Sequence, residues 1–257
     1  MQNDASDYCL VLLTDPLYLP GTRVAIASWL QRNGPCPIVI LSKRVEVFDD
    51  PYLKLNTSHF ERISPQRFDA IKPYKKRHSR RHEETFQKFL AFEDFGYARN
   101  IFLDSDTLSL GPAPLLTHGS FPSLAAALDT GFRKTRGYKG HPCEINSGVL
   151  AIDSSLQGRE VVQELIELAI AEPGRGGYNA GDQGIINKWI HRSGIRLDLL
   201  PAEYNTIKKD YHDTSGLETC RILHFTDRKP WFAREPTPKP PLPLEALWWQ
   251  TAETLQK

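Results

Sequence analysis

The chain has 257 residues, 40% hydrophobic and 25% charged, which is enough apolar material to build a packed domain and too much for a disordered chain. Lys and Arg number 32 against 31 Asp and Glu; the net charge of +1 excludes a bulk electrostatic nucleic-acid binder but leaves room for a local basic patch. The four cysteines (Cys9, Cys36, Cys143, Cys220) form no Cys-x-x-Cys pair, so they are read as reduced thiols and not as a structural zinc site.

The opening segment, MQNDASDYCLVLLTDPLYLP, has a short apolar stretch with no Lys or Arg before it and meets Pro16 early. That is the pattern of neither a signal peptide nor a membrane span, and no later stretch reaches about 18 consecutive apolar residues. The expectation is a cytoplasmic chain. Tyr8–Leu13 (YCLVLL) is a continuous apolar run that suits a strand buried on both faces. A turn at Thr14-Asp15-Pro16 leads to a helix over about 21–31, stopped by Asn33-Gly34-Pro35, and residues 37–41 form a second buried strand. Strand, helix and strand in this order predict a parallel sheet.

Residues 43–83 read as polar and irregular. Within them 72–82 (KPYKKRHSRRH) carries six Lys or Arg and no acid, either a solvated face or a basic rim for phosphates, an acidic acceptor or an anionic membrane. Near-helical apolar spacing over 83–95 predicts a helix ended by Gly96. Residues 100–103 and 147–152 are expected as strands, 161–171 and 182–190 as helices. The five prolines of 236–243 (PTPKPPLP) predict an extended strap, followed by an amphipathic tail over 244–255 with Trp248 and Trp249.

Asp104-Ser105-Asp106 directly follows a hydrophobic strand. Ligands of open α/β sheets sit beyond the carboxyl ends of the strands. Two carboxylates two residues apart at such an end suit one hard divalent cation, magnesium or manganese, to which a diphosphate adds further oxygens. A second strand end, Ile222-Leu223-His224, opens into a loop holding Lys229; the His suits the same ion and the Lys a phosphate. Asn146 and Ser147 open a third strand. Asp182 and Gln183 stand at a helix start, where Asp182 reads either as an N-cap or as part of the site.

These pieces resemble the family-8 retaining glycosyltransferases, the group of glycogenin and the bacterial lipopolysaccharide galactosyl- and glucosyltransferases. The resemblance runs from about residue 8 to 249 through VLLTDPLY (11–18), FLDSDTL (102–108), NSGVLAID (146–153), AGDQGIIN (180–187) and HFTDRKPW (224–231). It implies an α/β fold of the GT-A type, a Rossmann-like nucleotide-sugar-binding domain with a mainly parallel central sheet, over 1–235, with 236–257 as a strap and a C-terminal helix packing on it. It implies a UDP-sugar donor held with manganese or magnesium on Asp104, Asp106 and His224. Thr14, Asp15 and Tyr18 match the nucleoside-holding residues, with the Tyr18 ring under uracil. Lys88, Ser105, Asp129, Asn146, Ser147 and Lys229 match donor-binding positions, and Asp182 and Gln183 the pair nearest the anomeric carbon. In one departure, relatives read His-x-x-Gly-x-x-Lys-Pro-Trp where this chain is one residue shorter and carries Asp227 in place of Gly.

The implied reaction is metal-dependent transfer of a hexose from a UDP-sugar to a hydroxyl of a glycan, lipid-linked or protein acceptor, with retention. Alternatives are a catalytically degenerate UDP-sugar or glycan binder and a glycogenin-like primer that glycosylates itself, with Tyr204 and Tyr211 as acceptors. A nucleotidyltransferase is disfavoured because VLLTDPLYLPGTR lacks the glycine-rich basic motif near the first strand. No nucleic-acid partner is expected. Residues 72–82 and Trp248–Trp249 suggest a peripheral contact with an anionic membrane surface. The sequence carries no signal for oligomeric state, donor hexose or acceptor.

Overall fold

The structure is a computed structural model, described here over residues 7–72, 84–129, 144–172, 181–211, 213–226, 228–232 and 242–255. The basic stretch beyond Lys72, Cys143, Asn179-Ala180, Asp227 and most of the proline strap lie outside those residues.

The central layer is a seven-stranded sheet. Its strands are β1 (Tyr8–Leu13), β2 (Ile38–Ser42), β3 (His59–Arg62), β4 (Arg99–Leu103), β6 (Leu124–Leu128), β7 (Ile145–Asp153) and β8 (Leu197–Leu200), in the order β3-β2-β1-β4-β7-β6-β8. Pairing is parallel at β2–β3, β1–β2, β1–β4 and β6–β8, and antiparallel on both sides of β7. The sheet is thus mainly parallel, as expected.

Side chains of β1 alternate between two cores. Cys9 and Val11 join Phe86, Phe89, Phe92, Phe102 and Trp189 on one face. Tyr8, Leu10 and Leu12 join Trp29, Ile38, Ile40, Ile101 and Leu103 on the other. This two-fold period is the geometry of the pleat, and it explains why a strand covered on both sides reads as an unbroken apolar run. Helices α1 (Leu19–Asn33), α4 (Arg159–Ala171) and α5 (Asp182–Ser193) supply much of the covering.

A second, three-stranded sheet orders β5 (Thr107–Ser109), β10 (Ile222–His224) and β9 (Thr206–Ile207) as β5-β10-β9. The C-terminal helix α6 (Pro243–Thr254) buries Leu244 and Trp248 against Val24, Leu108, Leu223 and Phe225. The tail therefore packs on the domain.

Several expectations are corrected. The segment read as irregular holds α2 (Pro51–Asn56), capped by the Asp50 carboxylate at Leu53 N, and the edge strand β3. The helix expected over 83–95 is a 3₁₀ segment, Thr85–Phe92, whose apolar residues at 86, 89 and 92 fit three residues per turn. Strand β6 (LAAAL) and the short helix α3 (Pro114–His118) carry no clear pattern in the sequence.

Candidate active site

Because β1 and β4 run parallel, their carboxyl ends share one edge of the sheet. The first delivers Thr14, Asp15 and Tyr18 and the second delivers Asp104-Ser105-Asp106. Strand β7 runs antiparallel to β4, so its N-terminal residues Asn146, Ser147 and Gly148 reach the same edge, where Asp104 N donates to Gly148 O at 2.8 Å. His224 arrives through the small sheet: β10 pairs with β5 directly after the acid pair, His224 opposite Thr107, and Phe225 N donates to Asp106 O at 2.8 Å. The result is a cavity of about 440 Å³ whose lining contains all fourteen residues that the sequence matches to donor, metal and anomeric-carbon positions.

Carboxylate oxygens of Asp104 and Asp106 and a ring nitrogen of His224 lie within 4.8 Å of one another. His224 Nε2 is 3.1 Å from Asp106 Oδ1 and 3.6 Å from Asp104 Oδ2. Asp104 keeps 27% of its side chain exposed against 8% for Asp106, so the cluster opens on the Asp104 side.

Asn205 sets the imidazole. Its Nδ2 donates to Asn146 Oδ1 at 2.9 Å, which turns its own Oδ1 toward His224 Nδ1, also at 2.9 Å. With the proton on Nδ1, the Nε2 lone pair faces the two carboxylates, the arrangement that orients a metal-bound histidine. Gly148 makes the room: a Cβ there would overlap His224 Cε1 and lie 2.7 Å from Nδ1 and 2.9 Å from Asp104 Oδ2. Two hard oxygen donors, one fixed imidazole and a cradle that a single methyl would fill fit a divalent ion of the magnesium or manganese kind.

Lysines balance the acids. Lys88 Nζ sits 2.9 Å from Asp104 Oδ1, 3.0 Å from Asp182 Oδ2 and 3.1 Å from Ser147 Oγ. Burial works to deprotonate it, but the two carboxylates outweigh that and hold it more basic than usual. Burial likewise opposes the charge on Asp182, yet Lys88 and Ser147 keep its carboxyl below the ordinary range. Lys229 pairs with Asp106 and donates to Phe225 O at 2.9 Å. Burial would raise the Asp106 carboxyl, but His224 in its cationic form, with no ion on Nε2, together with Lys229, pulls it well below the usual carboxylate range. Asp104 goes the other way: burial, helped by Asp106, outweighs Lys88 and raises it.

Gln183 is clamped, donating to Asp129 Oδ2 at 2.7 Å and Glu144 Oε1 at 3.2 Å and accepting from Ser147 N at 3.3 Å. Asp182 does not cap its helix. Gly181 holds the cap position, and Asp182 Oδ2 accepts from Ser147 Oγ at 2.9 Å. At the other end of the cavity, Asp15 Oδ1 accepts from Leu17 N and Tyr18 N, closing the turn into α1. The Tyr18 ring meets Trp231 and Phe232 edge-on, and Trp231 Nε1 donates to Leu17 O at 2.9 Å.

Sequence reasoning missed Asn205, Thr22, Lys43, Glu84 and Lys209. Thr22 Oγ1 lies 2.6 Å from Thr14 Oγ1 and 2.9 Å from Ser105 Oγ, bracing the acid-pair turn. Helical spacing from Tyr18 would have found Thr22; Asn205 has no local signal. Tyr204, named with Tyr211 as an acceptor in the self-glycosylating alternative, is 5% exposed within the core, and its hydroxyl accepts from Leu115 N.

A model of the family described as Glycosyl transferase family 8 matches residues 9–235. The chain belongs to that family. Among curated relatives, UDP-glucuronate:xylan alpha-glucuronosyltransferase 2 of Arabidopsis thaliana is 26% identical over 159 residues, 58% of this chain and 23% of its own. A second Arabidopsis protein with the same activity in its name is 24% identical over 228 residues, 87% of this chain. The chain spans about a third of that protein's length, 36%. The structure of the galactosyltransferase LgtC with donor and acceptor sugar analogs superposes with a TM-score of 0.74 at 18% identity, covering 97% of this chain and 96% of that one. The glycosyltransferase GlyE of Streptococcus pneumoniae gives 0.62 at 20% identity over 95% of this chain and 60% of its own. The family-8 chain thus has the GT-A fold. No helix among the described residues is long and apolar enough to cross a membrane.

Proposed function

We propose that this chain transfers a hexose from a UDP-sugar to an acceptor hydroxyl, with a divalent metal and with the anomeric configuration retained. The observation that carries the reading is the convergence of Asp104, Asp106 and His224 within 4.8 Å at the wall of the cavity that holds every other candidate residue. In the reaction the bond from the anomeric carbon to the diphosphate breaks, a bond to the acceptor oxygen forms, and the hydroxyl proton leaves with the diphosphate. A divalent ion, when bound, supplies positive charge to that leaving group.

The chain's own residues do the rest. Lys229 adds a fixed positive charge on the diphosphate side. Thr14, Asp15 and Tyr18 receive the nucleoside, and Ser105, braced by Thr22, holds the turn between the two acids. Asp129, Asn146 and Ser147 hold the sugar. Asp182 stays ionised beside Lys88 and faces the developing oxocarbenium charge with Gln183. Because its carboxylate is shared with Lys88 and Ser147, Asp182 acts first as an electrostatic partner, which favours attack on the leaving-group face over a covalent intermediate.

The test is hydrolysis of UDP-glucose, UDP-galactose and UDP-glucuronate across manganese concentrations, which needs no acceptor. Asp104→Asn, Asp106→Asn and His224→Ala are each expected to lower turnover by about tenfold or more. Unchanged turnover in all three would remove the metal-site reading.

A further inference from the structure

Four lysines line the cavity, and three are matched to carboxylates: Lys43 to Glu84, Lys88 to Asp104 and Asp182, and Lys229 to Asp106. The fourth, Lys209, is exposed at the rim and makes no ion pair or hydrogen bond among the described residues. Its neighbour Lys208 faces away, to Glu245 Oε1 at 2.9 Å and to the Arg228 carbonyl at 3.3 Å.

Topology gives the side of the cavity on which Lys209 stands. Strand β9 pairs with β10, Ile207 opposite His224, and Lys209 lies two residues further along. In the small sheet β9 is the strand remote from β5, and β5 packs on α1, whose entry carries Asp15 and Tyr18. Lys209 therefore lies across the metal-type cluster from the nucleoside end, where an incoming hydroxyl compound would enter. The diphosphate already has Lys229 and the cluster, so an unmatched ammonium on the far side is not required for the diphosphate.

We propose that the acceptor carries an anionic group, a carboxylate or a phosphate, and that Lys209 recognises it. A lysine is a compact point charge on a flexible stem, suited to either anion without demanding one geometry. The inference rests on the glycosyl-transfer reading above and deepens it.

The experiment uses matched acceptors with manganese and the UDP-sugar that the wild-type enzyme hydrolyses: methyl β-glucuronide against methyl β-glucoside, and glucose 6-phosphate against glucose. Products are quantified by mass spectrometry. The wild type is expected to favour at least one anionic member by about fivefold or more in kcat/KM, the scale of a partly exposed charged contact. The carboxylate and phosphate arms identify which anion it is. Lys209→Met removes the preference, Lys209→Arg retains it, and Lys209→Glu turns it into a preference for the neutral member.

Equal use of both members, no transfer to either anionic compound, or a preference that survives in Lys209→Met overturns the proposal. A donor arm without acceptor adds a further check. Selective loss of UDP-glucuronate over UDP-glucose hydrolysis in Lys209→Met would move Lys209 to the donor sugar and also overturn it. Hydrolysis by the wild type without acceptor discrimination sinks only this inference; absence of any UDP-sugar hydrolysis sinks the donor reading and this one with it.

Discussion

A methyl group at residue 148 would occupy the space of His224 Cε1 and crowd Asp104, so Gly148→Ala must displace one or the other. We expect manganese affinity in the presence of UDP, measured by calorimetry, to fall about tenfold or more, with far-UV circular dichroism unchanged. Asn205→Ala acts on the same ring from behind. It releases Nδ1 and the tautomer with it, and the expected loss is about 10–100-fold in manganese affinity. Wild-type affinity in that variant would remove Asn205 as the orienting group. Cys36 reports on the core that holds Tyr8, Leu10 and Trp29: burial pushes its thiol up to about 11. The folded chain thus prefers the neutral thiol, and that contribution is complete below the unfolded value near 8.5 and lost as pH rises toward 11. Tm should fall across that window, and less steeply in Cys36→Ala.

At the scale of elements, α1 lies so close to the acid-pair turn that a Cβ on Gly21 would meet both the Ser105 carbonyl and the Trp231 ring. Gly21→Ala is expected to cost about 1–3 kcal/mol through overpacking, seen as a Tm loss of a few degrees up to about 10 °C, and to weaken UDP binding because Ser105 moves. An unchanged Tm would show that the helix has room to shift. The same scale separates what the sequence shows from what it hides. Strands β1, β2 and β4 were legible because burial on both faces leaves an unbroken apolar run. The acid pair was legible because its chemistry is local, two residues apart at a strand end. Strand β6 was hidden because Ala carries little strand preference, and edge strand β3 (HFER) because only Phe60 is apolar. Strands of two or three residues, β5 and β9, are too short to show any period. Phe86, Phe89 and Phe92 announce a helical segment, and only the threefold spacing hints that it is 3₁₀. Asn205 belongs to none of these patterns, since its role exists only once β9 lies beside β10.

At the scale of the molecule, the small sheet joins two apolar clusters, Ile222 entering the one around Trp29 and Leu108 and Leu223 the one that the tail closes. Among the described residues the tail's one charged anchor is the Lys208–Glu245 pair, 2.9 Å long with 14% and 6% of the side chains exposed. Glu245→Ala leaves that ammonium nearly buried without its partner. We expect a loss of about 3 kcal/mol in urea denaturation, smaller for Glu245→Gln, which keeps an oxygen acceptor. A midpoint unmoved in both would mean that water replaces the carboxylate. Residues 208 and 209 share a single peptide bond, one gripped by the terminal helix and the other exposed at the rim of the pocket. On the proposed role of Lys209, a chimera carrying a relative's terminal helix is expected to retune which hydroxyl compounds are glycosylated, although not one residue touching them has changed.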